Sequence, residues 1–178
     1  QLVDRYAELR KTTPGQRWSH GEHSYTKWDF EDLINKSAAD ILQPDFNRAG
    51  GLTEARKICA LAETAGLPVF PHSNEAHNTA IIFSQSAAVC PVVEYFPNVT
   101  PDTGNELFWN LFTGYPEAKD GYLSISTKPG LGVELNQEVA SQLVVIDDKW
   151  REILRGLNKQ FYHQTVSSLD IESYIATS

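Results

Sequence analysis

The chain has few of the features that define several large classes of protein. It has no methionine and only two cysteines, and no apolar run approaches the roughly 20 residues that a membrane-spanning helix needs. Cys59 and Cys90 each lie in an apolar stretch, which favours packed, reduced thiols over a disulfide framework. We therefore predict a cytoplasmic protein that is not embedded in a membrane.

Positive charge is also scarce. Lysine and arginine together number 15 against 23 acidic residues, which gives a formal net charge of -8 and a pI near 5.1. Nucleic acids and anionic membranes bind cationic surfaces, so this balance argues against both as partners. A small anionic substrate would need positive charge supplied locally, for example by a metal ion.

The length permits one sizeable core, because 178 residues with 41% hydrophobic content are ordinary for a globular protein. The chain opens with "QLVDRYAELR", which is already in the register of an amphipathic helix. A helix without a preceding cap, together with the missing methionine, leads us to expect a piece of a longer protein.

Strand-like and helical patterns alternate along the chain. The segments "QRWSHGEH", "ADILQPDF", "LPVFPHS" and "CPVVEYF" read as strands, and three helical stretches separate them. Apolar strands joined through helices pair in parallel with right-handed crossovers. The pattern predicts an α/β sheet or barrel of about four parallel strands.

Ionisable residues recur with the same rhythm. Glu22, Asp45, His72 and Glu94 are separated by 23, 27 and 22 residues, and each follows or ends a predicted strand. In a (β/α)₈ barrel the active-site groups project from the carboxyl ends of the strands. A proline before Asp45 and another before His72 would end the hydrogen-bond ladder there, so that the next side chain points into the mouth.

Three carboxylates and a histidine on one rim suit a hard cation such as Mg²⁺ beside an acid/base group. Asp45 next to His72 would orient the imidazole as a general base requires. Each residue also has a simpler interpretation: Glu22 as a surface acid, Asp45 as a turn cap, His72 as a structural histidine and Glu94 as an ion-pair partner. Zinc is disfavoured, because His20 and His23 lack the spacing of the helical zinc motif.

A family resemblance rests on three segments: "GEHSYTKWDFEDLI", "DILQPDFNRAGGLTEARKICALAETAGLPVFPH" and "GYLSISTKPGLGVELN". From about Asp4 to Asn136 the chain resembles the C-terminal half of an acid sugar dehydratase of the enolase superfamily. Within the mandelate-racemase-like group it is most similar to the L-rhamnonate dehydratases. The fold implied is the C-terminal part of a TIM-type (β/α) barrel.

The resemblance implies a role for each residue of the rim. Glu22 corresponds to the last of three carboxylates that bind an essential Mg²⁺, and His72 to the acid/base histidine with Asp45 as its dyad partner. Glu94 corresponds to a group that hydrogen-bonds the substrate carboxylate, and His23 stands beside the site. The implied enzyme is a carbon–oxygen lyase that dehydrates a sugar acid to a 2-keto-3-deoxy acid through an enediolate. The full-length form is expected to be a homo-oligomer.

Two departures from the family limit what the chain can do alone. The first two metal carboxylates and the capping domain would precede Gln1, so we expect negligible dehydratase activity from these 178 residues. We assign residues 1–136 to the half-barrel with its segment returning to the capping domain, and residues 137–178 to a helical tail. The alternatives are a non-catalytic half-barrel that associates with itself or a partner, and a racemase or cycloisomerase of the same superfamily.

Overall fold

The structure is a computed structural model that describes residues 2–96, 110–124 and 126–144. The chain divides into two compact units, Gln1–Leu135 and Asn136–Ser178. None of the helices in the described part of the chain is long and apolar enough to cross a membrane. The described helices are α1 Val3–Thr12, α2 Thr26–Asn35, α3 Phe46–Ala49, α4 Gly51–Ala65, α5 Ala76–Ser84 and α6 Gln137–Val144.

The regular strands are shorter than the sequence patterns predict. Strand β1 (Ser19–His20) pairs in parallel with β2 (Ile41–Leu42), and a single parallel bridge joins Leu42 to Val69. Beyond that bridge, the N–H of Val69 donates to the carbonyl oxygen of Val89 at 2.8 Å. The expected alternation is therefore present as an α/β arrangement, but its third and fourth extended segments are not regular strands.

Proline explains why the ladders stop so soon. Pro44, Pro68, Pro71 and Pro91 lie in or beside the extended segments, and proline has no N–H to donate to a neighbouring strand. The segments nevertheless stay adjacent, since each ladder contributes a few backbone bonds before it ends. A second, antiparallel pair is equally short and joins β3 (Phe112–Thr113) to β4 (Glu134–Leu135).

The core lies where α2 and α4 cover the short parallel strands. Each of these helices has buried apolar residues at helical spacing, and those residues form one cluster with Leu42 of β2. Helix α4 ends at Ala65, and its C-terminal cap is Gly66, which adopts a left-handed conformation with φ of 67°. The fully buried large apolar side chains of this core are Phe30, Leu33, Leu42, Phe46, Ile58 and Val69.

The second unit is described only as far as Val144. Helix α6 begins next to Asn136, whose side-chain oxygen accepts a hydrogen bond from the N–H of Val139 at 3.3 Å. Such a bond satisfies one of the unpaired donors of the first helical turn. Beyond Val144, the helical tail predicted for residues 137–178 lies outside the described residues.

Candidate active site

The structure brings together three of the residues that the rim prediction names. Nδ1 of His72 lies 2.6 Å from Oε2 of Glu94, and Nε2 of the same ring lies 3.5 Å from Oε1 of Glu22. The carboxylate of Glu94 can only accept a hydrogen bond, so Nδ1 of His72 is the donor in this contact. The other ring nitrogen, Nε2, is directed at the carboxylate of Glu22.

Asp45 has different partners. Its Oδ1 accepts from the N–H of Asn47 at 2.9 Å, and its Oδ2 accepts from Nε of Arg48 at 3.1 Å. The capping role considered for Asp45 in the sequence is therefore observed, at the start of α3. No hydrogen bond joins the side chains of Asp45 and His72 among the described contacts.

Arg48 extends this side of the site to His23. Its Nη1 lies 2.6 Å from Nδ1 of His23. A guanidinium has no acceptor, so Nδ1 of His23 accepts this bond. Nε2 of His23 lies 3.7 Å from Oε1 of Glu22. Contacts thus lead from Asp45 through Arg48, His23 and Glu22 to His72 and Glu94.

Proline carbonyls position the backbone of the site. The N–H of His72 donates to the carbonyl oxygen of Pro44 at 2.9 Å, and the N–H of Glu94 donates to that of Pro71 at 3.2 Å. Pro44, which precedes Asp45, thus positions the backbone of His72, and Pro71, which precedes His72, positions that of Glu94. A proline carbonyl remains an acceptor after the ring has removed the donor. This use of the two prolines was not predicted from the sequence.

Asn78 is a functional candidate that the sequence reasoning missed. It is buried on α5, its Oδ1 accepts from the N–H of Phe46 at 3.2 Å, and its Nδ2 donates to the carbonyl oxygen of His72. An amide that bridges two backbone segments fixes both, because a buried polar group must keep its partners. The available signal was a lone asparagine in the apolar helical stretch "NTAIIF".

Ser73 reinforces the same corner. It is buried and has φ of 66°, and its N–H donates to Oε2 of Glu94 at 3.3 Å. A non-glycine residue in this left-handed region is strained, and such residues are concentrated at functional sites. The strained backbone directs a second donor to the carboxylate that already accepts from His72.

Glu75 is the most perturbed carboxyl group of the site. Burial, and then the negative charge of Asp45, raise the pKa of Glu75 to about 7, while the charges of His72 and Arg48 act in the opposite direction. Its Oε2 is buried and has no hydrogen-bond partner in the described part of the chain. Glu75 in turn adds to burial in raising the pKa of Tyr115 to about 12.

The described residues do not make a complete metal site. No group of three histidine, cysteine, aspartate or glutamate side chains among them is arranged to hold a metal ion. A Mg²⁺ ion in a protein takes several oxygen ligands. The carboxylate of Glu22 lies instead between the imidazoles of His23 and His72, so Glu22 alone does not fit the bound Mg²⁺ that the family resemblance implies.

Helices over parallel extended segments, with a histidine between two carboxylates near the ends of those segments, are typical of part of an α/β barrel. Residues 1–139 match the family described as "Enolase C-terminal domain-like". The chain belongs to this family.

Individual relatives show which chemistries occur among similar proteins. The chain is 34% identical over 138 residues to an L-rhamnonate dehydratase from Saccharopolyspora erythraea, a match that covers 75% of this chain and 34% of that protein. The chain thus spans about a third of the length of this curated relative.

Solved structures give the same picture. L-talarate dehydratase from Polaromonas sp. JS666, complexed with Mg and L-glucarate, is 31% identical with a TM-score of 0.62 over 78% of this chain and 36% of that one. The 3,6-anhydro-D-galactonate cycloisomerase from Zobellia galactanivorans is 30% identical with a TM-score of 0.65 over 79% of this chain and 39% of that one.

Proposed function

We propose that this chain supplies the acid/base half of an acid sugar dehydratase. The observation that carries the proposal is the position of His72, whose Nδ1 donates to Glu94 at 2.6 Å while its Nε2 lies 3.5 Å from Glu22. A histidine that a carboxylate orients is the arrangement that a general base requires. The dehydratases among the similar proteins support the same chemistry.

The proposed reaction is the loss of water from a sugar acid such as L-rhamnonate. Nε2 of His72 takes the proton from the carbon next to the substrate carboxylate, which leaves an enediolate. The hydroxyl on the neighbouring carbon then departs, and His72 returns its proton to form water. The enol that remains becomes a 2-keto-3-deoxy acid by tautomerisation.

We propose that Asp45, Glu94 and His23 assist His72 and bind the substrate. Glu94 orients the imidazole through Nδ1, and its contact with the substrate carboxylate stays the prediction that the family resemblance implies. Asp45 as the dyad partner of His72 stays a prediction, since its carboxylate contacts Arg48. Asp45 acts in either case on the backbone that carries the site, because it caps α3.

Mg²⁺ remains part of the proposal for a longer protein only. Glu22 would be one of its ligands, and the other carboxylates would have to come from outside the described residues. Because one carboxylate holds Mg²⁺ poorly, we expect negligible turnover of L-rhamnonate by the 178-residue chain alone. We also propose a cytoplasmic location, which two buried free thiols support.

A chimaeric enzyme tests the proposal directly. Residues 1–139 of this chain replace the matching segment of the Saccharopolyspora erythraea dehydratase, and release of 2-keto-3-deoxy acid from L-rhamnonate is measured with Mg²⁺ present. We expect activity, and a loss of about 10²- to 10⁴-fold for His72→Asn, the range typical of a missing general base. His77→Asn, on the neighbouring helix α5, is the matched control and should retain activity.

Two further chimaeras separate the roles of the flanking carboxylates. If Glu94 orients His72, Glu94→Gln lowers kcat more than Asp45→Asn does; the reverse order would restore Asp45 as the dyad partner. A folded, soluble chimaera in which His72→Asn remains fully active would refute the acid/base assignment.

A cycloisomerase activity is the second candidate, supported by the similarity to the Zobellia galactanivorans enzyme. It would begin with removal of the same proton next to the carboxylate, and it would differ in the group that leaves the neighbouring carbon. A ring-opened product from an anhydro sugar acid, without release of keto-deoxy acid from L-rhamnonate, would favour it.

A further inference from the structure

Two cysteines from distant parts of the sequence meet in the core of the first unit. Sγ of Cys59, on α4, lies 3.7 Å from Sγ of Cys90, although the two residues are 31 positions apart in the chain. Both are buried in one apolar cluster that also contains Val69 and Val89. Each sulfur therefore has the other as a close neighbour in the packed part of the fold.

The separation of the two sulfurs is small enough for a disulfide to form through local movement. A disulfide has a bond length of about 2.05 Å, so the sulfurs need to approach by about 1.7 Å. Cys90 begins an irregular extended segment, whereas Cys59 lies within a helix. Irregular segments open locally more readily than packed helices do, so Cys90 is the side from which an oxidant reaches the pair.

The two thiols differ in how easily they lose their protons. A hydrogen bond from the thiol of Cys59 lowers the pKa of Cys90, against the opposing effect of burial. The same hydrogen bond, and then burial, raise the pKa of Cys59. Because the thiolate is the reactive form of cysteine, Cys90 is the sulfur that attacks first and Cys59 the one that follows.

We propose that Cys59 and Cys90 form a reversible disulfide, and that the oxidant is a small-molecule disulfide. The sulfur of Cys90 attacks one sulfur of the oxidant, whose S–S bond breaks and releases one thiol. The sulfur of Cys59 then attacks that of Cys90, and the S–S bond of the mixed disulfide breaks to release the second thiol. Two protein thiols are oxidised, one disulfide is reduced, and the two cysteine protons end on the released thiols.

The bond would link α4 to the segment that leads to the candidate site. Glu94 follows Cys90 by four positions. Its N–H donates to the carbonyl oxygen of Pro71, and its carboxylate accepts from His72. The disulfide goes beyond the proposed function and does not depend on it, because its formation needs neither the imidazole nor a substrate.

Redox equilibration of the purified 178-residue chain tests the proposal. The chain is incubated with mixtures of reduced and oxidised glutathione, folded in buffer or unfolded in urea, and the oxidised fraction is measured by intact mass. Proteolysis after Glu63 and Glu75 places the two cysteines in separate peptides, so a linked pair of peptides identifies the bond. We expect the equilibrium constant for disulfide formation to be at least about tenfold larger in the folded chain, because the fold already holds the sulfurs together.

A cysteine moved by one position supplies the matched control. The double variant Cys59→Ala, Ala60→Cys keeps the composition and almost the same loop length, but position 60 is exposed on α4. Its equilibrium constant in urea should equal that of the parent chain, whereas the gain on folding should be lost. Circular dichroism before oxidation checks that both chains are folded. If the double variant does not fold, the comparison of the folded and unfolded parent chain decides alone.

Three results would overturn the proposal. The first is an equal equilibrium constant for the folded and unfolded parent chain, which would mean that the fold does not favour the bond. The second is a folded chain that forms only mixed disulfides with glutathione. The third is a disulfide that joins two chains instead of two cysteines of one chain.

Discussion

Two regions of the first unit differ sharply in how they are held. From Val3 to Cys90, helices cover parallel segments, and every buried hydrophobic side chain of the described residues lies in this region. From Phe112 to Leu135, an antiparallel pair of two-residue strands carries exposed side chains such as Tyr122 and Leu135. The first region is stabilised by apolar burial, while the second has little of it.

The candidate site lies in the packed first region. Its backbone positions depend on bonds to Pro44, Pro71 and Asn78, all of which are buried within or beside the packed region. Rigid surroundings keep a histidine and its carboxylates at hydrogen-bonding distance. The second region contributes Tyr115, which Glu75 influences electrostatically. Three predictions test this contrast, beginning with the largest effect.

The core of the first region should be the most sensitive to truncation. Phe30→Ala removes a fully buried ring and should lower the free energy of unfolding by about 4 kcal/mol, the range for such cavities. Tyr122→Ala removes a ring that is 78% exposed and should change it by less than about 0.5 kcal/mol. Urea unfolding followed by circular dichroism measures both, and equal losses would contradict the contrast.

Two glycines give a matched pair for the backbone. Both have positive φ, 134° at Gly21 and 82° at Gly121. A Cβ at Gly21 would lie 2.6 Å from Cε1 of Phe30, whereas one at Gly121 would meet nothing within 4 Å. We expect Gly21→Ala to destabilise by about 3 kcal/mol, from strain and overpacking together. Gly121→Ala should lower the free energy of unfolding by only about 1 kcal/mol, because backbone strain acts there without overpacking.

The smallest effect concerns pH and Glu75. The pKa of its carboxyl group is about 7 in the folded chain against an ordinary 4.5, so the folded state keeps the proton to higher pH than the unfolded state does. This contribution therefore lowers stability as pH rises between those values. After allowance for partial exposure, the loss is about 1–2 kcal/mol between about pH 5 and pH 8.

Glu75→Gln should remove that loss of stability, so that the variant becomes more stable relative to the parent chain as pH rises. Glu117→Gln, exposed in the second region, is the control and should follow the parent chain. Thermal unfolding across the pH range measures the difference. If the stability of the parent chain and that of Glu75→Gln changed in parallel with pH, the pKa of Glu75 would not be raised in the folded state.

Much of the architecture could be read from local patterns. The three helical stretches predicted between the strand-like segments correspond to α2, α4 and α5, because helical patterns depend on residues close together in the chain. The extended segments were found, but their regularity was overestimated. Whether a segment pairs along its full length depends on donors across the sheet, and the prolines removed several of them.

The sequence by itself determined that Glu22, His72 and Glu94 would meet, since the carboxyl ends of parallel segments share one edge. Only the tertiary structure decided which groups touch. Glu94 rather than Asp45 contacts His72, while the carboxylate of Asp45 accepts a hydrogen bond from Arg48. Burial raises the pKa of Glu75. The contact of His72 with Glu94 joins residues 22 apart, and the pKa of Glu75 depends on burial by other segments, neither of which a local pattern encodes.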